Sequence, residues 1–176
     1  ALDWYQDHDD IAGIALYSYE HNDYNHLDFK ALDDGHDCYF MQLPSSWGQL
    51  WTRRQWLDFL GWYEQNQDGV ASTALGMPAA MVAWSDATTW KKFFSWYLLE
   101  SGRYLVYPRI SYSTNFSEPG TNQSGVLDKC QVVLAGKFQA PRFCTLDQSG
   151  SVYDMHFEPD NARCKLYSDE QVQAHT

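Results

Sequence analysis

Residues 83–108 have the sequence AWSDATTWKKFFSWYLLESGRYLVYP, and this stretch decides the fold class. Its aromatic and aliphatic residues recur at helical spacing as far as Gly102, a residue suited to the left-handed position that ends many helices. An apolar run follows over residues 103–108 and stops at Pro108, as expected of a strand. A helix that leads directly into a strand predicts an α/β structure.

Strand and helix signals alternate over the first two thirds of the chain. Short apolar runs predict strands at residues 10–17 and 38–43. Helical spacing predicts a helix over residues 53–66, capped by Thr52, and a second helix over residues 87–101. We therefore expect an α/β fold in which helices pack on a mixed sheet.

The spacing also predicts which side of each helix is buried. The expected apolar face of the first helix consists of Trp56, Leu57, Phe59, Leu60 and Tyr63. The expected apolar face of the second consists of Trp90, Phe93, Phe94, Tyr97 and Leu98. The adjacent basic pairs Arg53-Arg54 and Lys91-Lys92 are predicted to lie on solvated faces.

The rest of the chain gives weaker signals. Residues 20–37 are rich in His, Asn, Asp and Gly, which indicates an irregular polar connection. Further strands are expected within residues 126–138 and 150–157. We expect one domain over residues 1–165 and a polar tail over residues 166–176.

The charge and composition exclude several classes of partner. The net charge of −11 leaves no basic patch for nucleic acid or for an anionic membrane surface. No apolar run approaches the roughly 18 residues of a transmembrane segment. We expect a cytoplasmic protein, with the inner face of a membrane as a second location. The four cysteines form no C-x-x-C pair, so we expect no zinc site and reduced thiols.

The aromatic content is unusually high, at 16% of residues with eight Trp and twelve Tyr. One interpretation is a large aromatic core. The other is a sugar-binding site, because aromatic rings stack on the apolar faces of pyranoses while Tyr and Trp also offer polar groups. Composition alone favours the core.

A carboxylate, Asp86, immediately precedes the second predicted helix. Ser85 or Asp86 could cap that helix, since backbone N–H groups at a helix start are unpaired. The helix dipole would also keep Asp86 ionised, as a general base requires. The two interpretations are compatible.

Two further motifs complete a pattern with this segment. Residues 45–51 (SSWGQLW) form a Trp-Gly turn before a helix of the type R-R-x-W, and residues 110–116 (ISYSTNF) follow the strand that ends in Pro. Over residues 1–125 this order resembles the acceptor-side half of GT-A-type glycosyltransferases. It is similar to bacterial members of glycosyltransferase family 2 and to N-acetylglucosaminyltransferase I.

The resemblance implies a partial GT-A (Rossmann-like) domain of an inverting hexosyltransferase that uses a nucleotide-sugar donor and a carbohydrate acceptor. It implies that Asp86 is the catalytic base and that the segment from Asn115 to Gly125 closes over bound donor. The implied substrate-binding residues are Trp47, Gly48, Trp84, Ser85, Arg109, Asn115 and Phe116. For Arg109, contact with a diphosphate and a surface ion pair remain alternatives.

The same resemblance implies a divalent cation, Mn²⁺ or Mg²⁺, held by an acidic D-x-D motif after a buried strand. Asp7-His8-Asp9 fits the letters but precedes its strand, so we interpret it as a solvated turn. We therefore expect the motif in a segment upstream, no metal bound by this chain itself, and a fragment that transfers no sugar alone. A metal site among His21, His26 and His36 is the weaker alternative to a polar surface loop.

Two other functions are compatible with the composition. A non-catalytic carbohydrate-binding domain would use the aromatic residues without a base, although such domains are usually all-β. An acidic hydrolase would need two carboxylates facing each other across a groove.

Overall fold

The computed structural model describes residues 1–69, 76–85, 89–115, 130–136 and 140–160. The helices are α1 (Leu2–Tyr5), α2 (Arg53–Asn66), α3 (Ala79–Val82) and α4 (Trp90–Ser101). The strands are β1 (Ile11–Ala15), β2 (Cys38–Met41), β3 (Gln49–Leu50), β4 (Tyr104–Pro108) and β5 (Val152–Tyr153). Every helix in the described part is too short or too polar to cross a bilayer.

The five strands form one mixed sheet in the order β3-β1-β4-β2-β5. The pairs β1–β4 and β2–β5 are parallel, whereas β1–β3 and β2–β4 are antiparallel. This arrangement confirms the predicted α/β fold with a mixed sheet and packed helices.

Successive residues of β2 and β4 point to opposite faces of the sheet and so serve two separate cores. Tyr39 and Tyr107 pack with α2, α3 and α4 on one face, which we call the helical face. Cys38 and Phe40 pack with Tyr5 and the segment around residue 144 on the other face. Strands buried on both sides explain why their sequences are apolar runs without alternation.

Helix α2 begins at a capping box, as Thr52 predicts. The Thr52 hydroxyl accepts a hydrogen bond from the Gln55 backbone, and the Gln55 side chain accepts one from the Thr52 N–H. The Gln55 amide also donates to the Ile11 carbonyl at 3.1 Å, which joins α2 to β1. The predicted inner face was therefore wrong in part: Gln55 is buried with Phe59, while Leu57 is 51% exposed.

Helix α4 begins at Trp90, three residues later than predicted. All residues from Lys92 to Leu98 are buried, so this helix is enclosed by α2, the sheet and the preceding segment. Of the predicted apolar face, only Trp90 is exposed. Gly102 takes a φ of 62° and its N–H donates to the carbonyls of the last turn, which confirms it as the helix terminator.

Two later predictions have mixed outcomes. Residues 150–157 contain β5, whereas the described residues 130–136 contain only an isolated bridge between Leu134 and Ser111. The predicted tail at residues 166–176 lies outside the described residues.

Candidate functional site

The Trp47-Gly48 turn is held by the residue that follows β1 and by the segment that follows β4. The Gly48 carbonyl accepts from the Leu16 N–H at 2.9 Å, and the Ser113 hydroxyl donates to the Trp47 carbonyl. Gly48 has a φ of 94°, a conformation in which other residues are strained. The turn therefore fixes the direction of the Trp47 ring.

The Trp47 ring packs on the helical face against two tyrosines. Its centroid lies 4.6 Å from that of Tyr17 and 6.4 Å from that of Tyr19. The Tyr19 hydroxyl is buried and finds no hydrogen-bond partner within the described ranges. A buried hydroxyl of this kind is costly unless a ligand or water meets it.

Residues 20–29 form an ordered hairpin, more regular than the connection that their composition predicts. His21 and Asp28 form an antiparallel bridge, and the Phe29 N–H donates to the Glu20 carbonyl at 2.9 Å. The Asn22 side chain accepts from the Tyr24 N–H and donates to the His156 carbonyl, which attaches the hairpin to the C-terminal turn. This hairpin presents Asp23.

Asp23 and Lys91 of α4 carry opposite charges that act on each other. Burial raises the pKa of the Asp23 carboxyl above its usual value, although Lys91 and His21 act in the opposite direction. Burial likewise lowers the pKa of the Lys91 ammonium, with the Asp23 charge opposing it. Both residues are half-buried, with 32% of the Asp23 side chain exposed, and each charge acts on the pKa of the other.

Trp84 forms another wall of the same region. The Lys91 Nζ lies 5.6 Å from the centroid of the Trp84 ring, a cation–π distance. The neighbouring Lys92 is only 5% exposed, and its Nζ donates to the carbonyls of Val82 at 2.7 Å and Trp84 at 2.9 Å. Lys92 therefore anchors the segment that leads to residue 85.

The charge of one carboxylate, Asp23, acts on several of these groups. The Asp23 charge raises the pKa of Tyr17, Tyr19 and Tyr24, in each case after the larger effect of burial. Trp47 packs on two of these tyrosines and Trp84 on Lys91, so each indole contacts a group on which the Asp23 charge acts. We call this set the Asp23 site; its members are Asp23, Lys91, Tyr17, Tyr19, Tyr24, Trp47 and Trp84.

The structure thus brings together part of the predicted set. Trp47, Gly48 and Trp84 lie at or beside the Asp23 site, and the exposed Ser85 follows Trp84 directly. Asn115 is half-buried at the end of a described range. Asp86 and Phe116 lie outside the described residues, so their roles stay predictions.

Arg109 occupies a different place. Its guanidinium donates to the His36 carbonyl at 2.6 Å, to the Ala31 carbonyl at 3.2 Å and to the Asp34 carboxylate at 2.7 Å. Asp34 is almost fully buried, so this ion pair fixes the loop over residues 31–36. The ion pair that the sequence offered as an alternative for Arg109 is present.

The sequence did not indicate Asp23 or the two lysines as site residues. Lys91 and Lys92 were predicted on a solvated face, which is wrong because both lie against the segment that carries Trp84. The only sequence signal for burial of the two lysines was their position between the apolar residues Trp90 and Phe93. Asp23 gave no signal, because its neighbours in sequence are those of a surface loop.

The described residues contain no group of three or more His, Cys, Asp or Glu side chains that could hold a metal ion. His21 lies 3.6 Å from Asp23 and His36 lies 3.5 Å from Asp34, so these two histidines have separate carboxylate partners.

No known protein family, curated protein or solved structure matches this chain. Its function is therefore argued from the residues and their geometry.

Proposed function

We propose that this chain forms the acceptor-binding part of an inverting GT-A-type glycosyltransferase, which transfers a sugar from a nucleotide-sugar to an acceptor hydroxyl. The observation that supports the proposal best is the Asp23 site. It combines two indoles, three tyrosines and two half-buried groups of opposite charge.

Carbohydrates match this combination of groups. A pyranose has apolar faces that pack on indole rings, and its hydroxyls accept from an ammonium and donate to a carboxylate. Such hydrogen bonds are stronger where water is scarce. Trp47 and Trp84 are also among the substrate-binding residues that the resemblance to glycosyltransferases implies.

The proposal keeps Asp86 as the general base. Asp86 follows Trp84 by two residues, and the carbonyl of Trp84 is held by Lys92 at 2.9 Å. In the proposed reaction the Asp86 carboxylate takes the proton of the acceptor hydroxyl. The hydroxyl oxygen attacks the anomeric carbon in line, the C–O bond to the nucleoside diphosphate breaks on the opposite side, and the configuration inverts.

The cation that the resemblance implies, Mn²⁺ or Mg²⁺, belongs to the donor-binding part of such enzymes. The described residues of this chain offer no cluster for it, and the proton transfer assigned to Asp86 does not involve it.

A non-catalytic carbohydrate-binding domain would share the aromatic site. Its usual architecture is all-β, whereas this chain has a mixed sheet covered by α2 and α4. The transferase therefore accounts for more of the structure.

Saccharide binding tests the proposal on this chain directly. A printed oligosaccharide array identifies ligands, and titration by tryptophan fluorescence measures their affinity. We expect Trp84→Ala to weaken binding about tenfold, equivalent to roughly 1.4 kcal/mol. Trp4→Ala is the matched control, because Trp4 is 48% exposed and packs on Phe143, and it should bind normally. Equal losses in both variants, or no saccharide bound at all, would contradict the proposal.

The base is tested in a form of the enzyme that has turnover. Asp86→Asn should lower kcat by a factor of about a hundred or more while acceptor affinity changes little. Asp23→Asn should instead weaken acceptor binding. The reverse pattern would assign the base to Asp23.

A further inference from the structure

Two cysteines meet on the face of the sheet opposite the helices. Cys38 opens β2, and Cys144 lies before the short 3₁₀ turn at Leu146–Gln148. Their Sγ atoms are 3.8 Å apart, although the residues are 106 positions apart in sequence. Both are free thiols, and their residues are almost completely buried, at 2% and 0% exposure.

Neighbouring contacts hold the two sulfurs at this separation. The Tyr5 hydroxyl donates to the Cys144 carbonyl at 2.8 Å and lies 3.5 Å from the Cys38 Sγ. Beside the pair, Asp37 accepts from the Arg142 backbone N–H at 2.8 Å and from its guanidinium at 3.0 Å. In addition, the Asp37 N–H donates to the Arg142 carbonyl at 3.1 Å. Both chain segments are therefore clamped next to their cysteines.

We propose that Cys38 and Cys144 are a redox pair that closes to an intramolecular disulfide when the protein meets a peroxide. Side-chain rotation must bring the sulfurs from 3.8 Å to bonding distance, about 2.05 Å. The hydrogen bonds between Asp37 and Arg142 hold the two chain segments together next to the sulfurs during this closure.

A small oxidant has a route to Cys38. A cavity of about 210 Å³ is lined by Cys38 together with Ile14, Leu50 and Phe143. The hydrogen bond with Cys144 lowers the pKa of the Cys38 thiol, and the same contact raises the pKa of Cys144. Cys38 lines the cavity and Cys144 is not among its lining residues, so Cys38 is the sulfur that a peroxide in the cavity meets first.

The reaction balances with hydrogen peroxide as the oxidant. The Cys38 thiolate attacks one peroxide oxygen, the O–O bond breaks, and the departing hydroxide takes a proton to become water. The resulting sulfenic acid is attacked by the Cys144 sulfur, which gives up its proton, and a second water leaves. Two thiols are oxidised by two electrons, and one peroxide is reduced to two waters.

Disulfide mapping of the native chain tests the proposal without any variant. Protein reduced beforehand is treated with hydrogen peroxide, unfolded in N-ethylmaleimide, digested and analysed by mass spectrometry. We expect two of the four thiols to escape alkylation and a peptide linking Cys38 to Cys144 to appear. That peptide should vanish on reduction.

Two variants complete the test. Cys144→Ser should yield no linked peptide, whereas Cys130→Ser, the matched control, should still yield the Cys38–Cys144 peptide. The proposal is overturned if Cys38 and Cys144 are both still alkylated after oxidation. It is also overturned if each cysteine is oxidised to an acid without forming a disulfide, or if either cysteine forms a disulfide with Cys130 or Cys164. Circular dichroism before oxidation verifies that each protein is folded.

Discussion

Replacing Lys92 by Met removes the anchor of the Trp84 segment while keeping a long apolar side chain. The variant leaves the carbonyls of Val82 and Trp84 without their ammonium donor. Hydrogen bonds to charged groups contribute about 1.5–3 kcal/mol each, and removal of a buried ammonium offsets part of the loss. We expect the free energy of unfolding to fall by about 2–3 kcal/mol.

Equilibrium unfolding in urea measures this loss. With a slope of about 1–3 kcal/mol per molar urea, the midpoint should fall by roughly 1 M. Lys91→Met is the matched control at the adjacent position. Burial lowers the pKa of the Lys91 ammonium, so its charge costs free energy in the folded state, and its removal should change stability by less than about 1 kcal/mol.

The two variants should separate stability from binding. Lys92→Met should lower the midpoint, and Lys91→Met should keep it while weakening saccharide binding. If both variants unfold at the same urea concentration as the wild type, the two carbonyl contacts contribute no stability, and our account of how Trp84 is held is wrong.

Two further predictions concern the rest of the fold. Burial alone would raise the pKa of Asp34, but donors from Ser149, the His36 backbone and Arg109 hold it below its usual value. The ionised form therefore stabilises the fold above a pH of about 3.9, and this contribution is lost as pH falls further. Asp34→Asn should lower the free energy of unfolding by about 3 kcal/mol at neutral pH and by much less near pH 2.5, as measured by urea unfolding. An equal loss at both pH values would contradict a stabilising ion pair. At Gly13 an added Cβ would lie 2.8 Å from the Trp51 ring, so Gly13→Ala should cost about 1–3 kcal/mol, measured as a lower Tm. The Cβ added in Gly61→Ala has no neighbouring side chain within 4 Å in the described part of the chain, so this variant should raise the Tm. Equal Tm shifts in the Gly13 and Gly61 variants would refute the crowding at Gly13.

Local signals identified α2, α4 and the strands β1, β2, β4 and β5, whereas β3 and α3 were not predicted. Thr52 and Gly102 mark the start of α2 and the end of α4 because capping depends on a few neighbouring residues. The inner face of α2 was not predictable, since the hydrogen bond that buries Gln55 goes to Ile11, 44 residues away. The first turn of α4 was predicted too early, and the described helix starts only after Thr89.

The site was predictable only in part. Trp47 and Trp84 could be proposed from motifs that the sequence displays. Asp23 and Lys91 could not, because each is buried by segments distant in sequence, and adjacent lysines usually face water. The effect of the Asp23 charge on Lys91 depends on how the fold places the hairpin relative to α4, and that placement has no local signature.

The alternation of side chains along β2 and β4 gives this small protein two separate cores, one on each face of the sheet. Tyr39 and Tyr107 belong to the core on the helical face, while Cys38 belongs to the core on the opposite face. A covalent cross-link formed behind the sheet would tighten the scaffold without obstructing access to the front. Stability and ligand binding can therefore be altered separately, by substituting alternate residues of the same strand.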